Sequence, residues 1–400
     1  MIKKLLAISA FSLISCSALL GGCSVGNSFA RYSRSYTSFG TIAGLVLEGE
    51  FQTDEQRQDA KDVGAGVLEI LTDIEGVFST SVASSDVCRF NAAAAGETVE
   101  ISERAYTVLS LALDMYEETG GSYNAGLYYS VDLYGFAARA DKEEMPYDRQ
   151  DFSKQLPDER YVQAFKELSA SFKDIRLYSE GGSYYAVKPQ TVVEVEGRQY
   201  SLAIDLGGIA KGYAVDIVDK YIEEKGYTRS NFSYGMSSVA LNRTYAVESG
   251  EWYVTYRDPR GGVDDYYMAV NAADTALSTS GDYENYYEIE GVRYCHIIDP
   301  ATGSPIQNGM VAACCMGGTA AGDDARTTAI MAMGLDGALE YINSSTVREQ
   351  GLKISFIYQN SAGEYLLITN IPEGEYELLN ENYKLASRIE GGNVVFDGVR

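Results

Sequence analysis

Ten residues constrain the fold of this chain more than any others: Ile204-Asp205-Leu206-Gly207-Gly208-Ile209-Ala210-Lys211-Gly212-Tyr213. An apolar strand ends in an acid, two glycines let the backbone come close to a neighbour, and a helix begins with a lysine near its start. Glycine amides and a helix N-terminus suit a phosphate, and Lys211 adds positive charge. A tight strand–helix turn with a surface lysine satisfies the same spacing, which matches no standard nucleotide fingerprint. Either way, a strand must feed directly into a helix here.

The first residues are a targeting segment rather than part of the fold. Lys3 and Lys4 precede an apolar run over residues 5–20, too short and wrongly flanked for a stable spanning helix. Leu20-Gly21-Gly22-Cys23 resembles the bacterial lipobox, in which the cysteine is lipidated and starts the mature chain. Residues 1–22 are therefore expected to be a lipoprotein signal and Cys23 an acyl anchor. Residues 23–37, rich in Ser, Tyr, Gly and Arg, read as a tether. The expected location is the extracytoplasmic face of a membrane.

The remaining length suits one large domain. The net charge of −25 grows more negative when Lys3 and Lys4 leave, which argues against a nucleic-acid partner. Cys16 and Cys23 belong to the leader, and Cys88, Cys295, Cys314 and Cys315 show no C-x-x-C spacing. Spacing assigns no disulfide. A single histidine argues against zinc.

Periodicity predicts helices over 51–79, over 103–118 behind a Ser102 cap, and after Pro157. Strands are expected at 184–187, 191–195 and 200–206, then a helix from Gly207 to about Gly226. Further strands follow at 252–256 and 266–270, helices at 323–333 and 336–342, and a hairpin at 353–358 and 364–369. The order is mixed α+β, with mixed sheets and flanking helices. The acidic stretch after Pro372 carries no assignment.

Three more segments have chemical potential. Ser278-Thr279-Ser280-Gly281-Asp282-Tyr283 reads as a polar turn that either holds a ligand or connects elements. Tyr294 to Gly303 contains His296, the only side chain whose ordinary pKa lies near neutrality, with Asp299 placed to orient it. In Asp323-Asp324-Ala325-Arg326-Thr327-Thr328, a helix would put Asp324 and Thr328 on one face. A carboxylate and a hydroxyl there are hard oxygen ligands suited to Mg²⁺; an acid stabilised by the helix dipole is the plainer reading.

These four segments, in this order, resemble the ApbE family of FAD:protein FMN transferases. The resemblance extends to Phe39-Gly40-Thr41, to Ile74-Glu75 with Phe78-Ser79 and Arg89-Phe90-Asn91, and to Gly120-Gly121-Ser122-Tyr123-Asn124 with Leu133-Tyr134-Gly135-Phe136. It covers about residues 38–370, leaving 371–400 as an extension. It implies a single large α+β domain with the ApbE-like flavin transferase fold. It also implies a reaction: FAD is cleaved, AMP leaves, and FMN is joined through its phosphate to a Thr or Ser of a target protein. By position, Asp205, Lys211, Ile298 and Ser122, Tyr123 and Asn124 would contact FAD, with Phe39 where the family has a flavin-site Met. Asp324 and Thr328, with a backbone oxygen at Gly208, would hold Mg²⁺, and His296 would be the base. The implied partners are extracytoplasmic flavin-accepting proteins: subunits of Rnf-type or sodium-pumping quinone-reductase complexes and FMN-binding domains.

Ser81 stands where the family has a Tyr, Asn124 where it has an acid, and Gly235-Met236-Ser237-Ser238 where it has Gly-Gly-Asn. No stretch resembles the acceptor motif, so self-modification is not expected. The competing functions are an FAD pyrophosphatase giving FMN and AMP, and a lipoprotein that only binds flavin.

Overall fold

The computed structural model describes residues 29–137 and 156–398. The signal, the Cys23 anchor and the first residues of the tether lie outside the described residues. Among those described, a nine-stranded sheet forms the spine. Its order is Ala30–Ser38, Thr41–Gly49, Ser230–Tyr234, Ser238–Leu241, Thr275–Gly281, Met310–Met316, Lys353–Gln359, Tyr365–Thr369, Tyr383–Leu385. Every neighbouring pair is antiparallel except the last.

Met310–Met316 is buried at every residue, because both faces of the sheet are covered there. One face packs under the long helices Asp54–Phe78, Gly207–Glu224 and Ala320–Ile342. The other meets a small sheet of Trp252–Arg257, Tyr266–Ala272 and Tyr376–Leu378, whose Trp252, Val254 and Tyr256 join the core. A helical lobe with two short sheets is built from residues 86–137 and 156–201 and carries its own aromatic cluster around Phe165 and Tyr200. The mixed α+β architecture expected from the order of elements is the one observed.

The helix predictions hold closely. Thr53 closes a capping box on Asp54–Phe78, and Ser102 caps Glu103–Glu118. The two helices expected near 323–342 form one run, Ala320–Ile342, broken at Gly334 by a non-helical backbone (φ 68, ψ −176) that only glycine adopts cheaply. Its start lies three residues earlier than expected because Thr319 supplies the cap.

Three expectations need correction. Residues 30–37, read as tether, form an edge strand paired from Ala30↔Gly49 to Ser38↔Thr41. Its buried face is built from tyrosines alternating with Ser, Thr and Arg, so a count of aliphatic residues misses it; the Tyr36 hydroxyl donates to the Gly64 carbonyl at 2.9 Å. The strand expected at 200–206 ends at Ser201. Beyond it a side chain replaces a ladder: Asn91 donates to the Ile204 carbonyl at 2.9 Å and accepts the Ile204 N–H at 2.7 Å. The Asp205 N–H goes to the Ala125 carbonyl at 2.8 Å. Finally, the polar turn expected from Ser278 is strand Thr275–Gly281, paired on both sides. Past Pro372 the chain adds two strands to existing sheets and closes a hairpin, Ser387–Glu390 with Asn393–Phe396.

The helices Gly207–Glu224 and Ala320–Ile342 cross with no room to spare at Gly212, where an added Cβ would sit 2.2 Å from the Ala320 carbonyl oxygen. Gly212→Ala is therefore expected to lower stability by about 1–3 kcal/mol through overpacking. The check is a lower urea midpoint with an unchanged denaturant slope.

Candidate active site

The site is assembled at the crossing of those two helices. The Asp216 carboxylate accepts the Ala320 and Ala321 N–H groups at 2.8 and 3.0 Å, fixing the start of one helix to the side of the other. Asp324, one turn further in, accepts the Gly212 N–H at 3.1 Å. Thr328 donates to the Asp324 carbonyl at 3.1 Å, so the acid and the hydroxyl do share one helix face. Lys211 donates to the Gly207 carbonyl at 2.6 Å, and its ammonium lies 3.9 Å from the Asp324 carboxylate. Asp205 accepts the Gly207 N–H at 2.8 Å, closing the turn into the helix.

Asp205, Gly207, Lys211, Asp324 and Thr328 line a cavity of about 290 Å³. Of the residues singled out in the sequence, Asp205, Gly208, Lys211, Asp324 and Thr328 are all in the lining. Ser122, Tyr123 and Asn124 join it from the turn after Glu103–Glu118, together with His296 and Ile298. The Asn124 side chain is occupied in shaping its own turn, accepting the Gly126 N–H and donating to the Ser169 carbonyl. Phe39 does not join this lining. It sits at the tip of the first hairpin with its ring edge-on to Tyr234, at 6.3 Å. Ser81 is hydrogen-bonded to Ser79.

His296 is held by the backbone, not by Asp299. Asp299 accepts the Ala301 N–H and tightens the Pro300 turn, whereas the histidine Nδ1 lies 3.3 Å from the Asn285 carbonyl oxygen. A carbonyl only accepts, so Nδ1 carries the proton and Nε2 keeps its lone pair. Burial and then the charge of Lys211 lower the imidazole pKa to about 4, so the ring is neutral at pH 7 and able to accept a proton.

The acids respond oppositely. Burial raises Asp324 and Asp205 above the ordinary carboxylate range, with Lys211 and backbone N–H groups pulling both back. Tyr123 contributes a buried hydroxyl with no hydrogen-bond partner among the described residues. A Cβ at Gly208 would meet Thr328 Oγ1 at 3.3 Å and the Tyr123 ring at 3.5 Å, so glycine keeps this corner open.

That corner fits a small hard cation: a carboxylate and a hydroxyl one helical turn apart, beside a backbone made accessible by glycine. Among the described residues no group of three His, Cys, Asp or Glu side chains converges.

The segment from Ser278 to Tyr283, read as a turn that either holds a ligand or connects elements, reaches the lining through Thr279, Ser280, Gly281 and Tyr283. Ser280, on a strand, bonds Thr327 at 2.9 Å and approaches Thr328 at 3.5 Å. Sequence reasoning missed Glu284 and Asn285. Glu284 stands beside Asn285, and its carboxyl is raised by burial and lowered by Arg257 and Lys211. Asn285 acts through its carbonyl, for which no side-chain signal exists.

The ApbE family model matches residues 39–352. The FAD:protein FMN transferase of Vibrio cholerae is 28% identical over 278 residues, spanning 69% of this chain and 75% of its own. That of Klebsiella pneumoniae is 27% identical over 357 residues, spanning 88% and 93%. Among solved structures, a mutant of the flavin transferase ApbE from Vibrio cholerae superposes with TM-score 0.66 at 23% identity, covering 86% of this chain and 97% of that one. The ApbE protein from Thermotoga maritima gives 0.65 at 24%, covering 84% and 96%. These likenesses establish the fold.

The lone histidine allows a direct test. Its ring proton signal in NMR should titrate with a midpoint near 4, and Lys211→Met should move that midpoint upward. Because the native ring stays neutral while the unfolded one takes a proton, stability should fall as pH drops from about 6.5 toward 4. Below that window His296 should add no further loss.

Proposed function

The chain belongs to the ApbE family, and from that premise we propose that it transfers FMN from FAD to a Thr or Ser hydroxyl of an acceptor protein, with Mg²⁺ present and AMP released. The observation that carries this reading is a neutral, backbone-oriented imidazole in the same cavity as the Lys211–Asp324 pair. Relatives named FAD:protein FMN transferase support it.

The chemistry follows from those groups. His296 Nε2 accepts the proton of the acceptor hydroxyl as its oxygen attacks the FMN phosphorus. The phosphoanhydride bond breaks, AMP takes the electron pair, and the new P–O bond links FMN to the protein. A positioned base of this kind is worth about 10²–10⁴-fold in rate. Lys211 offsets the charge of the pyrophosphate, and the glycine turn at 207–208 brings backbone N–H groups toward it. Asp324, Thr328 and the Gly208 backbone would hold Mg²⁺, which supplies charge neutralisation at the phosphoryl oxygens and the departing AMP. In a chain of net charge −25, such neutralisation is needed before an anionic substrate can settle.

Water in place of the hydroxyl would make the same site an FAD pyrophosphatase. A pure flavin carrier would have no use for the base. The proposed setting is the extracytoplasmic face of a membrane, with Cys23 as lipid anchor. The proposed acceptors there are Rnf-type or sodium-pumping quinone-reductase subunits or other FMN-binding domains.

The decisive measurement is the intact mass of such an acceptor after incubation with the full-length protein, FAD and Mg²⁺. A gain of one FMN with release of AMP is expected. His296→Ala should slow it by about 10²–10⁴-fold while FAD still binds, and Asp324→Ala should abolish the response to Mg²⁺. Free FMN and AMP with an unmodified acceptor would favour the hydrolase, and FAD binding without turnover the carrier.

A further inference from the structure

A second, smaller recess of about 60 Å³ adjoins the cavity and shares Thr279, Tyr283 and Glu284 with it. Its inner wall is aromatic and apolar, with Tyr256, Tyr267 and Leu277 in the core behind it. Two polar groups in the wall are unsatisfied: Arg257 Nε and Thr255 Oγ1 are buried and have no hydrogen-bond partner among the described residues. The Arg257 guanidinium forms no ion pair there, and lies 5.7 Å from the Tyr283 ring centroid. Arg260, three residues on, is by contrast held by both oxygens of Asp282 at 2.7 Å.

Arg257 also sits at an irregularity in its strand. Tyr256 pairs with Met268 but Arg257 pairs with Tyr266, so Tyr267 is an extra residue on the facing strand. Such bulges redirect side chains and recur beside active sites. Leaving a buried donor unsatisfied destabilises the fold, and more so when the group is charged. Arg257 feels the charge of Glu284, but its Nε and the Thr255 hydroxyl remain unsatisfied and point to an acceptor that arrives with a ligand.

We propose that this recess binds a carboxylate side chain of the acceptor polypeptide, with Arg257 and Thr255 as its donors. The inference rests on the transferase reading. Its size suits a carboxylate better than a phosphate bearing a sugar. The phosphates of FAD already have Lys211 and the glycine turn in the main cavity. Glu284 adjoins Asn285, whose carbonyl holds His296. A polypeptide bringing its hydroxyl to His296 therefore passes the mouth of the recess, where an acidic neighbour can turn in.

The test uses the full-length protein in detergent and an acceptor domain that it flavinylates. Arg257→Gln should raise the acceptor KM about tenfold or more, with little change in the KM for FAD. Replacing one acidic residue near the acceptor hydroxyl by its amide should give the same rise, and the two changes together should add nothing further. Arg257→Asp with that acid changed to Lys should recover part of the loss. Arg257→Lys, which keeps the charge but not Nε, should fall between and carries the cycle if the glutamine variant does not fold. A rise in the KM for FAD, fully additive effects, or no effect (a recess that holds water only) would each overturn the inference while transfer by the unaltered protein continues. Absence of any transfer by the unaltered protein would sink the transferase reading and this inference with it.

Discussion

The site depends on how closely two helices approach at Gly212. With the Ala320 carbonyl occupying the space a side chain would need, the backbone N–H of one helix reaches the Asp324 carboxylate of the other. Asp216 locks the same crossing from the next turn by accepting two N–H groups of the second helix. Lys211, Gly208, Asp324 and Thr328 are thereby placed by backbone geometry rather than by flexible side chains. A site held this way keeps its donors in position without substrate, which is what electrostatic catalysis requires.

The same crossing explains how several acids are buried close together. Burial raises Asp205, Asp216 and Asp324, and each is offset by backbone N–H groups. Asp323, also buried, is met by the Gly318 N–H and by Arg326, which in turn spans to Glu118 on the Glu103–Glu118 helix. Glu118 also accepts the Tyr341 hydroxyl at 2.5 Å. The adjacent acids therefore have separate roles: Asp323 is absorbed by the fold, and Asp324 faces the cavity with only Gly212 and Lys211 opposing it.

Much of this was legible in the chain. The double glycine and lysine at 207–211 gave the turn and the helix, and Asp324 and Thr328 gave a shared face by spacing alone. What the residues left open, phosphate cradle or plain turn, was narrowed by resemblance across separated segments, because a single motif carries little specificity. The illegible parts share one cause: they act through backbone atoms or long-range pairing. Asn285 orients His296 with a carbonyl, so the acid three residues from the histidine looked like the better partner. Asn91 substitutes for a strand at Ile204, 113 residues away, and periodicity extended the strand through it. Tyrosines alternating with Ser, Thr and Arg over 30–38 bury a face that aliphatic counting does not see.

Two helix N-termini meet near the cavity, and they are treated differently. The start of Ala320–Ile342 is saturated: Thr319 takes the Gly322 N–H and Asp216 takes the two before it. Its positive end is spent inside the protein. The start of Gly207–Glu224 has no side-chain cap beyond the turn closed by Asp205, and Leu206 stands at the cap position. An uncapped helix start costs about 1 kcal/mol relative to a Ser or Asp cap, and a fold that caps its other long helices so thoroughly has no structural reason to omit this one. The omission has a use if an anion arrives at Gly207 and Gly208. An approaching phosphate then meets the helix terminus and Lys211, while Asp205 and Asp324 are turned toward the N–H groups of Gly207 and Gly212.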